Sequence, residues 1–328
     1  MEKLFYQIPR TKVLAIAHPD WLGIRSSSQE MFNEHIYIGD VLDERKAAEI
    51  AMDIADNVSD AVVIQAFPLN YTHLVLALKK YAPDLPLYCI WHGSFLQSNE
   101  KINWKGFKII CDFARKKYFR RIAFVKQGMS EIMWQQRIPA FFLKNFVNAI
   151  PQKAATPLQD ALTHCAVWSS TWCWRKPPYA MLAAVGFLPG TLAHLYGTND
   201  EINEFIKELN IPCNVASQPV HWQNIRDEYR KMHINLYVTM SECAPMVPLE
   251  SLSCGVPCLF GPNNHYFEDN SYLYDRLVVR IPDSAHLISQ YLQRALDERE
   301  NIIDEYIKYA PSYNEECKYL LQQFLKGE

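Results

Sequence analysis

The sequence predicts an α/β protein made of two Rossmann-like halves, and three observations predict it. Apolar segments of strand length alternate with segments of helical periodicity along most of the chain. A mostly polar or small stretch, Ile150-Pro-Gln-Lys-Ala-Ala-Thr-Pro157, interrupts that alternation near the middle. The 328 residues suit two domains of roughly 150 residues each.

In the first half, Val13–Ala17 reads as a strand. Asp43–Val58 reads as a helix, because Ala47, Ile50, Ala51, Ile54, Ala55 and Val58 recur at helical spacing. Ala61–Phe67 is apolar except for Gln65, the pattern of a strand buried on both faces. A helix is expected near Tyr71–Lys80, a strand at Leu87–Trp91 and a helix near Phe107–Arg120. A strand at Arg121–Val125 and a helix from Ser130 follow.

The second half repeats the alternation. Ala166–Trp168 is a strand, and Pro177-Pro178 opens a helix that runs to Gly186. Thr191–Tyr196 is a strand, Glu201–Leu209 a helix, and Val215 lies in a short strand. Asn224–Lys231 is a helix and Ile234–Val238 a strand. Leu249–Cys254 is a short helix ended by Gly255, and Val256–Phe260 is the next strand. Ser284–Asp297 and Tyr313–Leu325 close the chain as helices. The expected domains are 1–150 and 151–305, with a C-terminal helix, 306–328, returning to the first. Repeated βα units imply parallel sheets, and two such halves place a ligand in the cleft between their carboxyl edges.

Composition narrows the chemistry. The chain has 11 glycines, none in G-x-G or G-x-x-x-x-G-K spacing, which removes the dinucleotide fingerprint and the P-loop. A phosphate would then be held by helix ends and cationic side chains. Nine cysteines without a C-x-x-C pair point to a reducing compartment and a cytoplasmic location. Cys243, Cys254, Cys258 and His265 match no common zinc spacing, so inert thiols are the simpler reading and no metal is expected. A net charge of −3 offers no overall attraction to nucleic acid. No apolar run has the length of a membrane span.

The stretch from Ile234 to Gly261 is the most informative. An apolar strand delivers the chain to Ser241-Glu242, and Glu250 follows after seven intervening residues, close to Pro248 in the first turn of a short helix. Two carboxylates thus stand near free helix amides at a sheet edge. The amides of Met246, Val247 and Leu249 suit a phosphate, while Pro248 has none to give. A carboxylate accepts two hydrogen bonds from a vicinal diol such as a ribose. The alternative is a pair of solvated glutamates stabilising a helix dipole.

These residues carry a resemblance. Glu242 and Glu250 have the spacing of the E-x7-E motif. Glu250-Ser-Leu-Ser-Cys-Gly255-Val-Pro257 resembles the E-A-x-A-x-G-x-P run of retaining GT-B glycosyltransferases, family four in particular. In the second half, Leu195-Tyr196-Gly197, Ser217–Tyr229 and His233–Val238 resemble the segments upstream of it. In the first half, Tyr88-Cys-Ile-Trp-His92 resembles a strand ending in a histidine, and Phe142–Asn148 the segment before the linker.

The resemblance implies a GT-B fold and sugar transfer from a nucleotide-sugar substrate with retained configuration, without metal or cofactor. It assigns the ribose to Glu250 and the donor sugar to Glu242. The sugar and diphosphate fall to the Met246, Val247 and Leu249 amides, beside Ala244-Pro245. Lys176 would neutralise the leaving diphosphate, with Arg175 next to it. Gly197 and His221-Trp222 would flank the base, and His92 would meet the donor sugar. Departures stand beside these matches. Ser170-Thr171 replaces a Gly-Arg pair, Ala244-Pro245 replaces Phe-Gly, and the N-terminal glycine-rich loop is reduced to His18–Arg25. A non-catalytic GT-B-fold protein that binds glycan or a partner, and a GT-B nucleotide-sugar epimerase, share the same frame.

A basic run adds a possible partner. Lys101–Lys126 holds nine Lys/Arg against one acidic residue, Asp112, interleaved with aromatics. Lys105, Lys108, Arg115, Lys116, Lys117, Arg120 and Arg121 are candidates for an anionic membrane surface, at about 1 kcal/mol per nearby cation. That reading suits a glycan or lipid-linked acceptor. The other is a sheet-packed helix with a solvated basic face.

Overall fold

The computed structural model describes residues 8–39, 42–169, 171–216, 218 and 220–326. The chain divides into two compact units, one comprising Met1–Phe146 and Glu315–Glu328, the other Val147–Asn314.

The first unit opens with β1 (Thr11–Ala17), α1 (Leu22–Met31), β2 (His35–Tyr37) and α2 (Glu44–Asn57). It continues with β3 (Val58–Gln65), α3 (Tyr71–Tyr81), β4 (Leu87–Trp91) and α4 (Lys101–Arg115). It ends its βα series with β5 (Arg121–Phe124), α5 (Met129–Gln135) and β6 (Ala140–Phe142). The strands form one parallel sheet in the order β2-β1-β3-β4-β5-β6. Val62, Val63 and Ile64 are fully buried, as a strand covered on both faces requires.

The second unit holds β7 (Thr163–Val167), α6 (Tyr179–Gly186), β8 (Thr191–Tyr196), α7 (Asp200–Glu208) and β9 (Cys213–Ala216). Then come α8 (Ile225–Arg230), β10 (Ile234–Tyr237), α9 (Met246–Ser253) and β11 (Cys258–Phe260). Three more helices follow, α10 (Ser271–Leu277), α11 (Ala285–Asp297) and α12 (Arg299–Lys326). Its parallel sheet runs β11-β10-β7-β8-β9.

The structure departs from the sequence reading at several elements, most clearly at four helices. The helix expected over Phe107–Arg120 lies six residues earlier, at Lys101–Arg115. Lys117 turns left-handed at φ 60° and the Tyr118 amide closes on the Phe113 carbonyl, so 116–120 cannot continue the helix. α1 escapes a hydrophobic pattern search because Ser27 and Ser28 are buried on its inner face, where Ser28 Oγ donates to the Ile24 carbonyl. α9 starts at Met246 instead of Leu249. α12 begins fourteen residues before the expected Tyr313 and carries Pro311 inside it, a residue that reads as a breaker.

Candidate site at the carboxyl edge of the second sheet

In the second unit, the strand order reverses between β7 and β10. A doubly wound sheet binds its ligand outside the carboxyl ends of the strands at such a switch point. The segments leaving β7 and β10 there carry Arg175-Lys176 and Glu242–Glu250 respectively.

Lys176 and Glu242 are brought together. The ammonium Nζ lies 2.5 Å from Glu242 Oε1 and donates to the Tyr237 hydroxyl at 2.8 Å. That hydroxyl donates to Glu242 Oε1 at 2.9 Å. Both charged side chains are less than a fifth exposed, so neither is a freely solvated surface group. Burial alone would lower the Lys176 pKa, but Tyr237 and Glu242 outweigh it and hold the ammonium above its ordinary value. Lys176 is therefore a permanent cation and not a base. Burial, reinforced by Glu242, raises the Tyr237 phenol, which stays protonated as a donor.

Glu250 is buried within α9, and its Oε2 accepts the Tyr229 hydroxyl at 3.2 Å. The Tyr229 ring meets Trp168 edge-on at 4.7 Å, and Trp168 stacks on Tyr196 at 4.5 Å. Trp168 Nε1 donates to Asn235 Oδ1 at 2.7 Å, and Asn235 Nδ2 donates to Ser251 Oγ at 2.8 Å. Asn235 and Tyr237 are two apart on β10, so one strand face holds both Ser251, the residue after Glu250, and Glu242 itself. Burial, then Glu250, pushes the Tyr229 hydroxyl far above its usual range. The arrangement offers charged and hydrogen-bonding groups for an anionic, hydroxyl-rich ligand, fixed by a rigid polar core.

The other predicted residues of this unit take definite places. Arg175 is 8% exposed, and its carbonyl accepts the Met240 amide at 2.8 Å. Gly197 adopts φ 84° at the end of β8, and its carbonyl accepts Trp172 Nε1 at 3.0 Å. His221 and Trp222 lie together at a single turn of 3-10 helix, their rings 5.9 Å apart. Ala244, Pro245 and Met246 are buried, and the Pro245 carbonyl accepts the Tyr266 hydroxyl at 3.1 Å. Because α9 begins at Met246, its leading amides are those of Met246 and Val247. Leu249 is the fourth helical residue, where a regular helix already turns the amide back toward its cap. Ser170 and Ser217 lie outside the described residues.

In the first unit, His92 follows β4, with Nε2 and the Gln65 Oε1 in hydrogen-bond contact at 2.7 Å. Burial lowers the His92 pKa to about 3, so the imidazole is neutral. Gln65 ends β3, beside the β1/β3 switch point of that sheet; it is fully buried, and its Nε2 has no hydrogen-bond partner among the described residues. Gln65 was the sole polar break in an apolar run, a signal that could have marked it. Tyr229, Tyr237, Trp168 and Asn235 gave no such signal, since their contacts depend on strand order. Among the described residues, no group of three His, Cys, Asp or Glu side chains assembles to hold a metal.

The basic run is sorted by the fold. Lys105 and Lys108 are exposed on α4, flanked by Ile102 and Trp104, which are 65% and 46% exposed. Lys116 is exposed just past the helix. Arg115, Lys117 and Arg120 line a separate groove at its far end. Arg121 donates to the Gln323 carbonyl at 3.1 Å and sits over the Phe141 ring, so it is engaged within its own unit. No helix among the described residues is long and apolar enough to cross a membrane.

No family model matches the chain, and no curated protein matches it in sequence. Solved structures do match over nearly its whole length. HepE from Anabaena in complex with UDP-glucose has a TM-score of 0.70 at 11% identity, covering 96% of this chain and 98% of that one. The apo lipopolysaccharide outer core galactosyltransferase WaaB has a TM-score of 0.59 at 13% identity, covering 96% and 99%. Trehalose-6-phosphate synthase, in work on glycosyltransfer with retention, has a TM-score of 0.65 at 11% identity, covering 97% and 99%. At such identities the likeness is one of fold, and the fold is that of the GT-B glycosyltransferases.

Proposed function

We propose that the chain is a retaining, metal-independent glycosyltransferase of the family-four kind. It moves a sugar from a nucleotide-sugar donor to a glycan or lipid-linked acceptor in surface polysaccharide or lipopolysaccharide assembly. The observation that carries this reading is the Lys176–Tyr237–Glu242 chain at the sheet's switch point, with Glu250 buried on the following helix. Glu250 holds the ribose hydroxyls and Glu242 those of the donor sugar. Lys176, seconded by Arg175, meets the charge that grows on the departing diphosphate. The α9 amides of Met246 and Val247 add the positive end of a helix dipole. Gly197, His221 and Trp222 flank the base, and His92 contacts the donor sugar as a neutral hydrogen-bonding group.

The solved relatives support the donor class, since HepE is bound to UDP-glucose and WaaB is a lipopolysaccharide galactosyltransferase. The exposed Lys105, Lys108, Ile102 and Trp104 of α4 suit peripheral contact with an anionic cytoplasmic membrane face, where a lipid-linked acceptor resides.

A thermal-shift panel of nucleoside diphosphates tests the reading. A ligand at a hundred times its dissociation constant adds about 2.7 kcal/mol of stability. Glu250→Ala should weaken the bound nucleotide by about 1.5–3 kcal/mol, the range for a hydrogen bond to a charged group. No shift with any nucleotide overturns it. Donor turnover that disappears in Lys176→Ala separates the enzyme from a non-catalytic binding protein. Conversion of the donor without any acceptor points instead to an epimerase.

A further inference from the structure

The first unit carries a second polar site, on the opposite edge of its sheet from His92 and Gln65. A groove of about 550 Å³ opens where β4, β5 and β6 begin, with Pro86, Leu87, Phe119 and Pro139 along its apolar floor. Its cationic walls are Lys79, Arg115, Lys117, Arg120 and Arg137, against a single acidic residue, Asp84. Lys117 and Arg137 have no ion-pair partner among the described residues, and Lys79 feels the charge of Asp84 without a close salt bridge to it. Arg115 is paired with the exposed Asp112 at 3.1 Å.

Two of these cations occupy positions that disfavour them. Lys117 (φ 60°) and Arg137 (φ 59°) are left-handed residues just past α4 and α5. Each is followed by the long closing bond of a Schellman turn, Tyr118 N to Phe113 O at 2.8 Å and Ile138 N to Met133 O at 3.1 Å. Glycine or asparagine is the ordinary occupant of that position, and the same chain uses them elsewhere. Gly255 follows α9 and Asn210 follows α7, each with the corresponding closing bond. Placing a long cation there incurs left-handed strain twice, at the two turns that border one groove. Helix carboxyl ends do attract cations, but α3 meets that need with Lys79 and Lys80 in its ordinary last turn. The dipole alone therefore does not account for Lys117 and Arg137. Even with three helix ends and Asp84 subtracted, the five cations leave a positive surplus.

We propose that this groove binds a phosphate ester, with Lys117, Arg137, Lys79 and Arg120 around the phosphate and the carbon part over the proline-lined floor. A guanidinium pairs with phosphate through two parallel hydrogen bonds, and the ammonium groups add point charges. The same chemistry is offered by a soluble phosphate monoester and by a phospholipid headgroup. None of its residues belongs to the proposed donor site, so it stands or falls apart from sugar transfer, although Arg115, Lys117 and Arg120 are shared with the basic run considered for an anionic membrane surface.

The test uses the full chain and the variant Lys117→Gly/Arg137→Gly, which removes two cations and relieves both left-handed strains. Its Tm should equal or exceed that of the parent, and its affinity for a nucleoside diphosphate should be unchanged. Two probes are titrated at constant ionic strength. One is glycerol phosphate, and the other is phosphatidylcholine vesicles with and without phosphatidylglycerol. Binding of the parent to glycerol phosphate, weakened about tenfold or more in the variant, supports a soluble ester; one charge-assisted hydrogen bond is worth that much. Binding only to the anionic vesicles, lost in the variant, supports a headgroup. The proposal is overturned if the parent binds neither probe, or if the variant binds as tightly as the parent.

Discussion

At the scale of single residues, the decisive group is Lys176. Its ammonium is flanked by an acceptor carboxylate and a phenol, and these outweigh the desolvation that would otherwise neutralise it. A lysine whose folded pKa is raised adds stability that is complete below the unfolded value, near 10.4. That stability is lost only as pH climbs through the higher folded value. Lys176 should therefore contribute no inflection to a pH–rate profile between 6 and about 9; an inflection there that vanishes in Lys176→Met would overturn its role as a fixed charge. Lys176→Met itself should cut donor turnover by about 10²–10³, the usual loss for one pre-organised partner of developing charge. Nucleotide affinity measured alongside separates a lost transition-state contact from a lost site. The two glutamates were legible because their spacing is local, whereas Lys176 was legible only through the resemblance of its segment. Tyr229, 21 residues from Glu250, and Tyr237, 61 from Lys176, were not.

At the scale of elements, the turn after α9 sets where Glu250 sits. Gly255 adopts φ 80°, and a Cβ there would drive into the Lys153 carbonyl oxygen and crowd the Ala155 amide. Gly255→Ala therefore combines left-handed strain of about 1–2 kcal/mol with a backbone clash that cannot rotate away. It should lower the Tm and weaken nucleotide binding together, whereas unchanged affinity would show α9 to be placed independently of this turn. A second element-scale device joins β7, β8 and the start of β10. His164 Nδ1 and His194 Nε2 are 2.7 Å apart, and His164 Nε2 meets Asp160 at 2.9 Å. The His164 amide donates to His233 Nδ1 at 3.0 Å. Burial, then His164, lowers the His194 pKa to about 4, with Glu228 and Asp160 opposing. The unfolded chain binds this proton near pH 6.5 and the folded chain only near pH 4. Stability should thus fall as pH drops from about 6.5 to about 4. Thermal melts across that window should flatten in His194→Gln, and an unchanged slope would remove His194 as the cause. Strongly periodic, capped helices such as α2 and α11 were readable in the sequence, with Asp43 and Ser284 accepting from the Lys46 and Leu287 amides. α1 was hidden by buried serines, and α4 was misplaced because its end is set by backbone conformation at a lysine.

At the scale of the whole molecule, α12 belongs to both compact units, since the division falls between Asn314 and Glu315 inside it. Its final turns complete the core of the first unit. Phe324 is fully buried there, 5.1 Å from the Tyr88 ring and 5.9 Å from Phe141. Tyr88 Oη donates to the Leu325 carbonyl at 2.6 Å, and Lys144 pairs with Glu316 at 2.7 Å. The chain's last segment and strands formed two hundred residues earlier therefore share one core, which no local pattern in the sequence announces. Phe324→Ala removes a buried ring and leaves a cavity, at about 3–5 kcal/mol. The loss should be confined to the unit that contains it. Hydrogen exchange should accelerate in β4, β5 and β6, while amides of β7, β8 and β10 keep their protection. Nucleoside diphosphate affinity, which the proposed function assigns to the second unit, should survive. Equal loss of protection in both sheets would mean that the two cores unfold as one cooperative body, and α12 would then be the element that couples them.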